Sequence, residues 1–321
     1  MAGGKKMRNT PFAKWVLSHA DDLNLKVQEA TWTKDWVPGY YSLHSNIKIG
    51  SQNILGHGLA KSQDLAFVKS AAEAIERAYC IENGIHTNGV AAFTDIEGAK
   101  THAANELKER DAFLCHYLTN FPFVRKLEIH SFDLAIEKLK ENNIKITALQ
   151  MKTPPNENGV VCLATPINNN HNFSSIIGLG YSDNLQCSLD KAFLECLEST
   201  VAYIYEGKNE NIETNTLTTP LDHKKLFLTP KYKNDILELI ENVNPDKTPI
   251  SEFDTQFNEM KSDNPLFQDL PLVVMRSISN ESQPMFYGET HEDKINFRRL
   301  KQFTNQNVEN EKINPTPHCI G

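Results

Sequence analysis

The sequence predicts a mixed α/β fold, a single compact domain in which glutamate-bearing helices pack on mixed sheets. Three observations predict it. Long stretches with helical apolar periodicity alternate with short apolar runs rich in β-branched residues. No proline- or glycine-rich linker divides them. At 321 residues, with 40% hydrophobic and 23% charged content, the chain has the composition of a globular protein that can bury a sizeable core.

Taken in order, residues 1–39 form an N-terminal segment of mixed character. Tyr40 to Ile54 alternates in part (Tyr41, Leu43, Ile47, Ile49) and reads as a strand or hairpin, and Gly56-His57-Gly58 reads as a turn. Asp64 to Asn83 reads as a helix whose apolar stripe is Phe67, Ala71, Ile75 and Ala78. Gly84 and Asn88-Gly89 link it to a second helix over Asp95–Leu118. Strand-like runs follow at Phe123–His130, Ile144–Lys152, Val160–Pro166 and Phe173–Tyr181, with a helix near Ala135–Asn142. Asn168 to Asn172 reads as a polar turn. A third long helix covers Leu189–Tyr205, and Glu206–Thr219 reads as a polar loop. Asp235–Val243 looks helical and Pro271–Ser279 strand-like. The expected division is an N-terminal segment, a main domain over 40–300, and a polar, mobile tail with a Pro-x-Pro over 301–321.

Bulk properties narrow the function. A net charge of −8 and a pI near 5.8 argue against a general nucleic-acid binder. Six cysteines without a C-x-x-C pair or framework spacing fit a reducing cytosol, and a cytoplasmic location is expected. The basic Met1–Arg8 stretch is not followed by an apolar h-region, and no apolar run is long enough to span a bilayer.

Chemistry concentrates in a repeated pentad. Glu73-Ala74-Ile75-Glu76-Arg77 and Glu106-Leu107-Lys108-Glu109-Arg110 are both Glu-x-x-Glu-Arg in alanine-rich helices. Carboxylates three apart share a helix face, so two such helices can offer four carboxylates to one cleft. Four like charges repel unless a cation sits among them, and Mg²⁺ held by glutamates usually also holds phosphate. The alternative is an ordinary solvated Glu–Arg pair. Helical projection leaves either reading open for the first pentad. In the second, Glu106 and Arg110 fall inside the stripe of Ala99, Ala103, Leu107, Phe113 and Leu114, where unpaired charge is costly. Asn105, Lys108 and Asp111 take the polar side. A weaker third copy, Ala192 to Glu198, again places a small residue three positions before its first glutamate.

The residues resemble the YcaO family. The resemblance rests on Gly56-His57-Gly58-Leu59-Ala60 with the first pentad, on Thr87-Asn88-Gly89-Val90-Ala91-Ala92 leading to Glu106-Leu107-Lys108-Glu109-Arg110-Asp111-Ala112, and on Gly178-Leu179-Gly180-Tyr181-Ser182 before the third helix. It implies a YcaO-like fold and an enzyme that uses ATP and Mg²⁺ to phosphorylate a peptide backbone amide oxygen. A Cys, Ser or Thr side chain then closes an azoline; sulfide would give a thioamide and an amine an amidine. It implies Glu73, Glu76, Glu106 and Glu109 as Mg²⁺ ligands, Ser70, Asn88 and Arg110 as nucleotide contacts, and Glu195 and Glu198 lining the site, with Arg110, Glu195 and Glu198 as the catalytic set. Arg77 either meets nucleotide or pairs with Glu73. No Walker-type loop occurs, so carboxylate-held Mg²⁺ is the phosphate clamp. Arg276, Arg298 and Arg299 are candidates for phosphate contacts or surface ion pairs.

The chain departs from the family pattern in four places. Only Glu82 to Phe93 joins the two pentad helices, Lys69 stands where the serine is usual, Glu198 and Thr200 replace the common glutamine and basic residue, and the chain runs past its prolines to His318-Cys319-Ile320-Gly321. The partial proline tail favours azoline formation in ribosomally derived peptide biosynthesis over thioamidation, with ribosomal-protein modification as a further alternative. The departures leave a non-catalytic, partner-binding subunit as the rival. A peptide substrate and a separate leader-peptide-binding partner are expected, and a homodimer is common in the family.

Overall fold

Element ends follow local signals. The computed structural model describes residues 10–168, 171–206, 217–245 and 250–320. Most of the loop expected over Glu206–Thr219, and part of the Asn168–Asn172 turn, lie outside them. Thr10 caps α1 (Pro11–Ser18), its hydroxyl accepting from Ala13 N, and Pro11 stands where no N–H is needed. Two compact units follow from the contacts: Met1–Leu107 with Thr255–Ile278, and Lys108–Asp254 with Ser279–Gly321.

In the first unit, α1 leads to β1 (Lys26–Ala30), the short α2 (Thr33–Trp36), and the hairpin of β2 (Tyr41–Ile49) and β3 (Gln52–Ala60). Gly50, at φ +60°, makes the hairpin turn. The three strands pair antiparallel in the order β1-β2-β3. Ser62 caps α3 (Gln63–Glu82), whose hydroxyl accepts from Leu65 N. β4 (Val90–Phe93) follows, then α4 (Ile96–Thr119), which contributes its residues up to Leu107 here. Phe67, Ala71, Ile75 and Ala78 are buried with Leu43, Ile47 and Ile54 in this unit's core, as the helical projection expects.

The second unit holds the rest of α4, β5 (Arg125–Leu127), α5 (Asp133–Glu141), β6 (Ile144–Met151), β7 (Asn158–Pro166), β8 (Ile176–Ser182) and α6 (Leu185–Glu206). Then come α7 (Pro220–Phe227) and α8 (Lys233–Glu241). β9 (Gln256–Glu259) and β10 (Val273–Ile278) return to the first unit and complete its antiparallel sheet β4-β10-β9. α9 (Phe297–Thr304) belongs again to the second. Its sheet, β5-β6-β7-β8, is also antiparallel, so the mixed α/β class is realised with antiparallel sheets.

Gly56-His57-Gly58 is not a turn; it lies within β3. The glycines allow contact, not reversal. A Cβ on Gly56 would sit 2.1 Å from Ser70 O and 2.3 Å from Ala74 N, and one on Gly58 2.0 Å from Ala66 O. Glycines two apart on a strand share a face, so α3 lies directly on the backbone of β3. The second unit repeats the device. Cβ atoms on Gly178 and Gly180 of β8 would meet Ala192 O at 2.3 Å and Ser188 O at 2.0 Å on α6. Each position of the second set lies 122 residues beyond its counterpart, from Gly56 and Gly178 through Ala74 and Cys196. Strand and helix are thus one motif used twice.

Two further expectations change. Asp111, placed on the polar side of α4, is 1% exposed because Ala112 to Leu118 are buried all round. Its carboxylate receives Gln283 N at 2.7 Å and Arg299 Nη2 at 2.7 Å. The described part of the tail packs into this unit. Tyr117 Oη donates to Pro317 O at 2.9 Å, His223 Nδ1 donates to His318 O at 2.8 Å, and Cys319 and Ile320 are 3% and 2% exposed. Sequence polarity before Ile313 concealed an apolar terminus that completes this unit's core.

Candidate active site

In the first unit the Gly-x-Gly contact fixes a carboxylate. Because β3 and α3 touch backbone to backbone, His57 N reaches Glu73 Oε2 at 2.7 Å. Arg77 Nη2 lies 2.6 Å from Glu73 Oε1, and its Nη1 donates to Leu55 O at 2.6 Å. Arg77 therefore takes the pairing with Glu73 weighed above. One turn on, Glu76 Oε2 accepts from Ala92 N at 3.2 Å, which ties α3 to β4. Burial first, then the charges of Glu106 and Glu73, holds the Glu76 carboxyl well above the usual carboxylate range. Three carboxylates on α3 and α4 thus face one another in a partly desolvated place.

The same unit also holds buried polar atoms without a hydrogen-bond partner. Asn88 Oδ1, Arg276 Nε and Ser277 Oγ are buried without a hydrogen-bond partner. Gly89 at φ +71° brings the Asn88 turn onto β10, where Ser277 N donates to Gly89 O at 2.7 Å; a Cβ there would lie 2.8 Å from Ser277 O. That is the physical content of the Asn-Gly signature. Of the three candidate arginines, Arg276 is the one with an orphaned nitrogen. Arg298 is exposed, 3.9 Å from Glu281, and Arg299 is buried against Asp111. Ser70 is fully buried, its hydroxyl bonded to Ser45 Oγ at 2.6 Å and Phe67 O at 3.0 Å, so it locks α3 to β2.

The donor set suits Mg²⁺. It is all oxygen, and burial, then the charges of Glu106 and Glu73, hold the Glu76 carboxyl high. Orphaned Arg276 and Asn88 are complementary to an anionic, hydrogen-bonding ligand such as a nucleotide.

The second unit places its carboxylates by the same motif. Leu179 N, between the two glycines of β8, donates to Glu195 Oε2 at 3.2 Å, as His57 N does to Glu73. Glu198 stands one turn further along α6, at the position matching Glu76. Glu109 is 1% exposed; its Oε2 accepts from Lys191 Nζ at 2.8 Å, and Arg110 Nη2 lies 3.9 Å from its Oε1. Burial raises the Glu195 carboxyl, opposed by Arg110 and then reinforced by Glu109. A cavity of about 90 Å³ is lined by Arg110, Glu195, Ser199, Lys224, Cys319 and Ile320. Lys191 was not singled out in the sequence; its equivalence to Lys69, four residues before the first glutamate in each copy, was the available signal.

Comparison with known proteins places the chain in a family. The YcaO family profile, described as YcaO cyclodehydratase, ATP- and Mg²⁺-binding, matches residues 84–269. No curated protein matches the chain. Among solved structures, YcaO from Methanopyrus kandleri bound with AMPPCP and Mg²⁺ is similar with a TM-score of 0.59 at 13% identity, over 87% of this chain and 93% of that one. A heterocyclase in complex with substrate and cofactor gives a TM-score of 0.68 at 11% identity, over 99% of this chain and 58% of that one, so the chain spans little more than half of that protein. The E. coli microcin synthetase McbBCD complex gives 0.51 at 11% identity, over 75% and 85%. Among the described residues no helix is long and apolar enough to cross a membrane. The chain belongs to the YcaO family and is an ATP-dependent, Mg²⁺-binding enzyme of the cyclodehydratase type.

Proposed function

We propose that the chain activates a backbone amide of a ribosomally made peptide so that a Cys, Ser or Thr side chain closes onto it as an azoline. The observation that carries this reading is the first unit's carboxylate cluster, where burial and the charges of Glu106 and Glu73 press Glu76 above its usual range. Glu73, Glu76 and Glu106 would hold Mg²⁺, which would supply positive charge to the nucleotide's phosphates. Arg276 and Asn88 meet the nucleotide. In the second unit, Glu109 is a further Mg²⁺ ligand, Arg110 faces charge developing on the transferred phosphoryl group, and Glu195 and Glu198 orient the reacting groups.

The balance is simple. The side-chain oxygen or sulfur adds to the amide carbon and gives up its proton, the amide oxygen takes the γ-phosphoryl group of ATP with release of ADP and then departs as phosphate, and the amide N–H proton is lost as the C=N bond forms. The heterocyclase in complex with substrate and cofactor and the McbBCD complex support a peptide substrate and a partner protein that delivers it. A cytoplasmic setting suits the six free cysteines. The test is mass spectrometry on a Cys/Ser/Thr-rich precursor peptide with ATP and Mg²⁺. A loss of one water per ring supports azoline formation. Exchange of oxygen for sulfur when sulfide is supplied, with no dehydration, points to thioamidation, and ATP binding without any turnover points to the non-catalytic subunit.

A further inference from the structure

A hollow of about 430 Å³ opens in the second unit and shares no lining residue with the cavity that holds Arg110 and Glu195. That volume suits a ligand pocket. Lys152 lines it and is 5% exposed. Its Nζ lies 3.3 Å from Phe303 O and 4.9 Å from the centre of the Phe121 ring. His116 braces both the lysine and that ring: its Nε2 accepts from Lys152 N at 2.9 Å, and its Nδ1 donates to Phe121 O at 2.9 Å. The cation is thus a fixed part of the wall. Lys312 adds a second positive charge at the rim, in an exposed pair with Glu309 at 3.6 Å. Among the described residues no carboxylate lines the hollow.

Asn120, Asn244, Asn305 and Asn307 line the same hollow with amides, each of which both donates and accepts. The ends of α4 at Thr119 and of α9 at Thr304 are there too, and helix C-termini carry partial negative charge. That setting suits a singly charged carboxylate better than a phosphate, which favours helix N-termini. Asn120 is also a wall of a second hollow, of about 480 Å³, lined by α8 and the tail at Asn314–Thr316. Asn242 Nδ2 donates to Asn120 O at 2.7 Å and braces this shared wall. The charge of the second hollow is opposite, from Asp235 and Glu238. Asp235 Oδ2 accepts from Thr316 Oγ1 at 3.5 Å, and Glu238 is exposed.

We propose that the two hollows form one groove for an extended segment of the peptide substrate, with an acidic side chain at Lys152 and a basic one at Asp235 and Glu238. This rests on the reading of the substrate as a peptide. The amides along the groove match the N–H and C=O groups that an extended backbone leaves unpaired. Neither charge alone selects a peptide. Opposite charges on either side of shared amides do, because a small anion would satisfy only one of them.

The test is fluorescence anisotropy on the whole chain without nucleotide, using short labelled peptides of alanine and serine that carry one glutamate and one lysine at varied spacing. At the best spacing, glutamine in place of the glutamate should weaken binding to wild type about tenfold, the equivalent of about 1.4 kcal/mol. Lys152→Met should bind the two versions equally. Glu238→Gln should narrow the preference for lysine over glutamine at the other position. That substitution is exposed, so it decides the case if Lys152→Met does not melt like wild type. No binding, equal preferences in all three proteins, or displacement of the peptide by inorganic phosphate at lower concentration than by its unlabelled form overturns the groove. Turnover separates the two ideas. A precursor peptide that forms rings with a raised KM and unchanged kcat in Lys152→Met supports both. Rings formed with KM unchanged leave the azoline reading and remove the groove. Peptide binding that depends on Lys152, without ring formation, leaves the groove and removes the azoline reading.

Discussion

Gly56→Ala tests how the chain holds its carboxylates in place. The new Cβ would lie 2.1 Å from Ser70 O and 2.3 Å from Ala74 N, both backbone atoms of α3. Ordinary contact needs more than an ångström of further separation, and neither atom can rotate away. Overpacking of this kind typically costs about 1–3 kcal/mol. With backbone on both sides the expected loss is at the upper end, about 3 kcal/mol. The same shift opens the His57 N to Glu73 Oε2 bond of 2.7 Å, so Mg²⁺ affinity should fall with stability. Gly98→Ala is the control. Its Cβ also meets an atom at 2.1 Å, but that atom is Cδ1 of the half-exposed Phe93 side chain, which can swing aside. In a helix, alanine also gains about 1 kcal/mol over glycine, so Gly98→Ala should stay within about 1 kcal/mol of wild type. The assay is urea unfolding of each variant with and without Mg²⁺. Equal losses in the two variants, or a stable Gly56→Ala with unchanged metal affinity, would refute the backbone-contact argument.

Other outcomes follow from the same structure. The folded Glu76 carboxyl keeps its proton to higher pH than an ordinary glutamate at 4.5, so the metal-free protein should lose stability as pH rises from 4.5 through the folded value. Glu106→Gln should make that decline shallower, and a pH series of denaturation curves reads it. His318 and His116 are buried neutral, lowered by burial from 6.5 to about 3 and about 4. Their stabilising contribution is present above pH 6.5 and is lost as pH falls through the folded values, at about 1.4 kcal/mol per pH unit for each histidine. His318→Asn should flatten the acid limb of the same series. Arg299→Met leaves Asp111 as an unpaired buried charge and should cost about 3–5 kcal/mol in urea unfolding, and Asp111→Leu with Arg299→Met should recover most of it.

Much of the fold was legible because its long helices are periodic. The helices expected at Asp64–Asn83 and Asp95–Leu118 appear as Gln63–Glu82 and Ile96–Thr119. Gly56-His57-Gly58 misled because a glycine in a strand and a glycine in a turn look alike without knowledge of what approaches it. Asp111 misled because helical projection assumes one wet side, and this part of α4 has none. Glu73, Glu76 and Glu106 stood out through the repeated pentad, although helical projection left the first copy open and only the family resemblance made them metal ligands. Lys191 and Arg276 were harder, since their significance lies in which carboxylate a long side chain reaches, or in which nitrogen is left unbonded. The tail's burial depends on Tyr117 and His223, far from it in sequence.

The most direct test of the central claim is calorimetric titration of ATP with Mg²⁺ into wild type and Glu106→Gln. The account predicts micromolar binding that requires Mg²⁺ and is lost in the variant, whose fold is otherwise retained. Equal binding by both proteins, or none by wild type at any Mg²⁺ concentration, would contradict it.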